Sequence, residues 1–132
     1  MQVLFVHETP GFQGGAERWV YQVAQGLGAR HGFECHLAST QGSGRESTRF
    51  TRIFTTAHHV RCASDWERIT DDLQPDLLCV GNLGSEDFQA VARIPVPCVR
   101  IVHDHSLSCL SSKRLYTWTG KVCNRTLGPG CW

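Results

Sequence analysis

The sequence predicts an α/β fold: a doubly wound parallel sheet forming a single domain. Three observations carry that expectation. Short apolar runs, the mark of strands buried on both faces, alternate with stretches of helical periodicity. Glycine or proline breaks separate them at short intervals, as βα units require. The 132-residue chain, 41% hydrophobic and 19% charged, is long enough to bury one core.

The first element is the apolar run Val3 to Val6, read as a buried strand. A glycine segment follows, Gly11-Phe12-Gln13-Gly14-Gly15-Ala16-Glu17-Arg18. Beyond it Ala16, Trp19, Val20, Val23, Ala24 and Leu27 recur at helical spacing, with Trp19 read as core. Glu17 in the first turn and Arg30 and His31 in the last suit the helix dipole, and Gly32 suits the C-terminal stop. Phe33 to Thr40 reads as a second strand and completes a βαβ unit. Gln41 to Phe50 shows no periodicity and reads as a mobile loop. A short third strand is placed near Val60, with His58 and His59 at the surface.

Ser64-Asp65-Trp66-Glu67 matches a capping box, opening a helix that continues through Ile69 and Leu73 to Pro75. Leu77 to Val80 is a buried strand closed by Gly81-Asn82. Ser85 is expected to cap a short helix carrying Phe88, Val91 and Ala92, which Pro95 halts. Cys98 to Val102 is the last strand and delivers His103-Asp104-His105. The domain proper is expected over residues 1–104, with 105–132 a cysteine-containing irregular tail or insertion. Cys35, Cys79 and Cys98 lie in apolar runs and are expected to be buried as small hydrophobes.

A formal charge of +1 gives no electrostatic reason to expect a nucleic-acid partner. No apolar run approaches the roughly 18 residues of a membrane span. The opening Met1 to Phe5 has neither the basic stretch nor the cleavage site of a signal peptide. A cytoplasmic protein is the expectation, with association at the inner membrane surface through partners as an extension of it.

In doubly wound sheets ligands bind beyond the carboxyl ends of the strands. That rule gathers His7, Glu8, the glycine loop, Asn82, Gly84, His103 and Asp104. The loop is not a dinucleotide fingerprint: its glycines fall as G-x-x-G-G-A, and the second strand ends in Ser39-Thr40 instead of an acidic residue. A P-loop Lys-Ser/Thr pair is also missing. Gly14 and Gly15 would let backbone approach a ligand, and helix-opening amides suit an anion; the same glycines also serve a plain tight turn. His103 at a strand end can bond a hydroxyl or move a proton, or be satisfied by neighbouring backbone. His103, His105, Cys109, Cys123 and Cys131 offer zinc-type ligands without a C-x-x-C pair, so a disulfide or packed thiols compete and no metal is assigned.

Three segments carry a family resemblance. "VLFVHETPGFQGGAERWVYQVAQGL" and "VRIVHDHSLSC" resemble the opening and the His-Asp segment of retaining GT-B glycosyltransferases of the family 4 kind. "KRLYTWTGKVCNRTLGPGCW" is similar to a cysteine-bearing insertion in some of them. The resemblance implies a Rossmann-like domain, the acceptor-side half of a GT-B fold. It implies a hexosyl transfer from a nucleotide-sugar donor to a glycan, lipid or small-molecule acceptor, with no cofactor besides that donor. The strand-end rule and the resemblance together mark His103 as the catalytic candidate. They mark Gly14, Gly15, Glu17, Asn82 and Asp104 as substrate-binding candidates. A C-terminal donor-binding domain is missing, so the expected protein is a fragment, a truncated gene product or half of a split enzyme, weak or inactive alone. The alternative is a stand-alone Rossmann-like ligand- or protein-binding module without catalysis. An α/β oxidoreductase is opposed by the absent fingerprint.

Overall fold

Side chains alternate along a strand, so each strand of a sandwiched sheet sorts its apolar residues between two layers. In the computed structural model, which describes residues 1–103, 119 and 121–123, that sorting fixes where every helix sits. The elements run β1 (Gln2–His7), α1 (Gly15–His31), β2 (Glu34–Ser39), α2 (Ser47–Thr51), β3 (Thr56–His59), α3 (Ala63–Leu73), β4 (Leu77–Val80), α4 (Ser85–Val91) and β5 (Cys98–Arg100). The five strands form one parallel sheet in the order β3-β2-β1-β4-β5. β1 is central, Val3 standing opposite Cys35 of β2 and Leu77 of β4.

On one face Val3, Phe5, Cys35 and Leu37 pack with Val20 and Ala24 of α1 and with Phe50 of α2. On the other, Leu4, Val6, Ala38, Leu78 and Val80 pack with Trp66 and Ile69 of α3 and Val91 of α4. Helices therefore cover both faces, which is the doubly wound α/β class predicted. The strand order reverses between β1 and β4, because the chain steps outward from β1 to β3 and then crosses back. All nine elements belong to one compact unit, Met1–Ile101; Val102–Trp132 form a second. In that second unit the Lys121 N–H donates to the Thr119 hydroxyl over 3.4 Å.

Local chemistry explains the ends of the elements. Gly32 closes α1 at φ 64°, in the left-handed region, donating its N–H to Gly28 O at 3.1 Å. Gln74 closes α3 in the same way, just ahead of Pro75. Four expectations need correction. The segment 41–50 is not a featureless loop: its second half enters α2, and Phe50 is fully buried. The capping box does not form, because Cys62, not Ser64, is the N-cap of α3. Asp65 instead reaches back to the Arg61 N–H at 2.9 Å and to Arg68 Nη2 at 2.9 Å, which holds its carboxyl down at about 2. Gly84, not Ser85, is the N-cap of α4. Cys98, on the edge strand, is exposed, while Cys35 and Cys79 are buried thiols, Cys79 pushed up to about 11 by burial.

Candidate functional site

The loop after β1 keeps pairing on both sides after the strand has ended. The Gly81 N–H donates to Val6 O, and the Glu8 N–H to Asn82 O, each at 2.8 Å. On the other side the Gln41 N–H donates to Glu8 O at 2.9 Å, and the Thr9 hydroxyl to Gln41 Oε1 at 3.0 Å. The carboxyl rim of β1, β2 and β4 is thereby one connected strip.

Farther along, the β1–α1 loop is crossed by the segment that leads into α2. The Phe12 N–H donates to Arg45 O at 2.8 Å. A Cβ on Gly11 would stand 2.6 Å from Arg45 O, and one on Gly44 would stand 2.8 Å from Thr9 Cγ2. Gly11 is required because backbone passes backbone there, and at Gly44 the Thr9 methyl leaves little room, with the Gly11 backbone next at 3.2 Å. Phe50 locks the crossing from below, with Phe12 edge-on at 5.2 Å and Phe54 at 5.8 Å.

The crossing encloses one side of a cavity of about 670 Å³. Its floor is Phe12 with Gly14 and Gly15; a Cβ on Gly15 would meet nothing within 4 Å, while one on Gly14 would stand 3.5 Å from Glu17 Oε2. One wall is a stripe on α1, Arg18, Tyr21, Gln22 and Gln25, at the i, i+3, i+4, i+7 spacing of a single helix face. The other wall is Arg45, Glu46 and Arg49. Glu46 Oε2 lies 3.0 Å from Arg49 Nη1 and Oε1 lies 4.0 Å from Arg45 Nε, and the Arg49 guanidinium sits 5.6 Å from the Phe12 ring centre. Three guanidinium groups and one carboxylate thus surround an open glycine turn.

The predicted site residues are distributed as follows. Gly14 and Gly15 line the cavity. Glu17 is buried behind them, its Oε2 accepting the Gly14 N–H at 2.7 Å and its Oε1 3.9 Å from His7 Nε2. His7 Nδ1 accepts the Thr9 N–H at 3.4 Å, so Nε2 carries the proton that faces Glu17. Asn82 is tied to Glu8 through its carbonyl, and Gly84 caps α4, which packs on the opposite face from α1. His103 is exposed and belongs to the second unit. Asp104, His105, Cys109 and Cys131 lie outside the described residues; among the described ones no cluster of three His, Cys, Asp or Glu could hold a metal. Arg45, Arg49 and the α1 polar stripe were not among the predicted site residues. The period of Arg18, Tyr21, Gln22 and Gln25 was the available signal for the stripe.

No family model and no curated protein matches the chain. Among solved structures its fold is similar to that of a universal stress protein in complex with cAMP, with a TM-score of 0.53 and 18% identity. The match covers 76% of this chain and 96% of that one. It overturns the glycosyltransferase resemblance: the structural likeness is to a universal stress protein and runs over nearly the whole of that chain. The acceptor-side role, the nucleotide-sugar donor, the acceptor and the dependence on a donor-binding domain fall with it. Two of the three segments behind the resemblance, the glycine turn after the first strand and the histidine at a later strand end, are features any open parallel sheet can use. The third, the cysteine-bearing tail, lies almost wholly outside the described residues. No helix among the described residues is long and apolar enough to cross a membrane. The fold is a Rossmann-like α/β domain on a five-stranded parallel sheet, of the kind found in universal stress proteins.

Proposed function

We propose that the chain is a stand-alone nucleotide-binding module that holds its ligand without transforming it. The observation that carries this reading is the cavity where Gly14 and Gly15 meet Arg18, Arg45 and Arg49. Its volume, about 670 Å³, falls in the range of small-ligand pockets. Bare backbone at Gly14 and Gly15 admits close approach, and planar guanidinium groups match phosphate oxygens. Phe12 and Tyr21 add flat apolar surface for a base or sugar. Among the described residues the walls supply no histidine, cysteine or serine, and their one carboxylate, Glu46, is paired with Arg49, which favours binding over turnover. The fold likeness to a protein in complex with cAMP makes a nucleotide the natural first ligand. Cys35, Cys62, Cys79, Cys98 and Cys123 are all free thiols, which supports a reducing, cytoplasmic setting.

Calorimetric titration with cAMP, AMP and ATP, alongside chromatography of the mixtures, tests the reading. Saturable binding with the nucleotide recovered unchanged is expected. Arg18→Gln and Arg45→Gln should each weaken binding by up to about fivefold, the worth of one exposed ion pair. Absence of binding by all three nucleotides, or binding indifferent to both substitutions, would refute it.

A further inference from the structure

The Glu46 carboxylate occupies the arginine wall much as a ligand anion would. It bonds Arg49 at 3.0 Å and approaches Arg45 at 4.0 Å, and it makes no capping bond to α2 although Glu46 is that helix's N-cap. All three side chains are exposed, so these pairs exchange readily with solvent and solutes. We infer that the cavity selects a terminal, doubly charged phosphate over a singly charged phosphodiester, with Glu46 as the built-in competitor that sets the threshold. The inference rests on the nucleotide-binding reading above and specifies its ligand class.

The charge count favours the dianion. Three positive groups, Arg18, Arg45 and Arg49, against one negative, Glu46, leave the walls with a net of two positive charges. A phosphomonoester carries about two negative charges at neutral pH and three acceptor oxygens. A cyclic diester carries one charge, the same as the carboxylate already in place. That carboxylate is tethered beside the arginines, and short tethers give effective concentrations on the order of millimolar. A monoanion must displace an equally charged resident, whereas a dianion gains one further charge interaction in the exchange. With exposed arginines that gain is at most about fivefold in affinity and shrinks as salt rises.

The test compares 5′-AMP with cAMP at low and high salt, on the native chain and on Arg49→Gln, Arg45→Gln and Glu46→Gln. Far-UV circular dichroism checks that each variant is folded. Expected are a preference of about threefold to fivefold for 5′-AMP at low salt, its narrowing in either arginine variant and at high salt, and tighter binding of both ligands by Glu46→Gln. If both nucleotides bind but cAMP is equal or tighter, or the preference ignores Arg45 and Arg49, the selectivity is overturned and the nucleotide reading stands. If neither binds, the nucleotide reading itself fails and the selectivity falls with it.

Discussion

Gly11 lies in the β1–α1 loop and Gly15, four residues on, opens α1, yet the space beside each differs completely. An alanine methyl at Gly11 would meet Arg45 O at 2.6 Å, and that backbone cannot rotate aside. Gly11→Ala should therefore cost about 1–3 kcal/mol, as overpacking does, and should weaken nucleotide binding by lifting Arg45 from its place. At Gly15 nothing lies within 4 Å, so Gly15→Ala should leave the melting temperature unchanged or raise it slightly, while its methyl intrudes on the cavity and weakens binding. Melting curves and titrations of the two variants check the contrast. Two histidines give a second prediction at this scale. His36 Nδ1 and His58 Nε2 both bond Thr56 Oγ1, at 2.8 and 2.7 Å. Burial holds both below the usual histidine range, Glu34 opposing it at His36, and Arg68 adding to it and Asp72 opposing it at His58. Because the folded pKa lies below the unfolded one, the unfolded chain binds more protons between them. Stability is then complete above about pH 6.5 and declines as pH falls through the window beneath it, by at most about 1.4 kcal/mol per pH unit per histidine. Thermal melts from pH 7.5 to 5.5 should show the fall, and His58→Gln, which keeps a bond to Thr56 but cannot titrate, should flatten it.

At the scale of elements, α2 shows why part of the site was hidden in the sequence. A helix of five residues is too short to display a period, and its only core anchor is Phe50. The strands and longer helices were legible because each carries its own pattern: continuous apolar runs in β1 and β4, and Val20, Ala24 and Trp66, Ile69 at helical spacing in α1 and α3. The cavity has no such local code. It joins Gly14 to Arg45 and Arg49 across about thirty residues through the backbone bond from Phe12 to Arg45 and the contacts of Phe12 and Tyr21 with Phe50 and of Arg49 with Phe12. Only the α1 stripe was readable, and a search for apolar periodicity passes over a polar one. Phe50 should accordingly link stability to function. Phe50→Ala should destabilise by about 3–5 kcal/mol, whereas Phe50→Leu, which keeps most of the volume, should cost far less. Denaturant titration measures the first effect, and nucleotide affinity of Phe50→Leu shows whether loosening α2 alone moves Arg45 and Arg49.

The whole molecule supplies a probe that joins its core to its ligand. Cys35 and Cys79 lie in the central strands β2 and β4, buried, with burial raising both thiols. Cys62 and Cys98 are exposed at a helix start and on an edge strand. Thiolate is the reactive form, so an alkylating reagent near neutral pH should modify Cys62 within the native state and leave Cys35 and Cys79 untouched until the sheet opens. When opening and closing are fast, alkylation of the central pair is proportional to the open population. A ligand that binds only the folded chain reduces that population by the factor 1 + [L]/Kd. Labelling of Cys35 and Cys79, resolved by peptide mass spectrometry in mild denaturant, should therefore slow in proportion to added 5′-AMP, while Cys62 reacts at an unchanged rate. Slowing confined to Cys62, or absent at concentrations that saturate the calorimetric isotherm, would place the bound nucleotide away from the folded sheet.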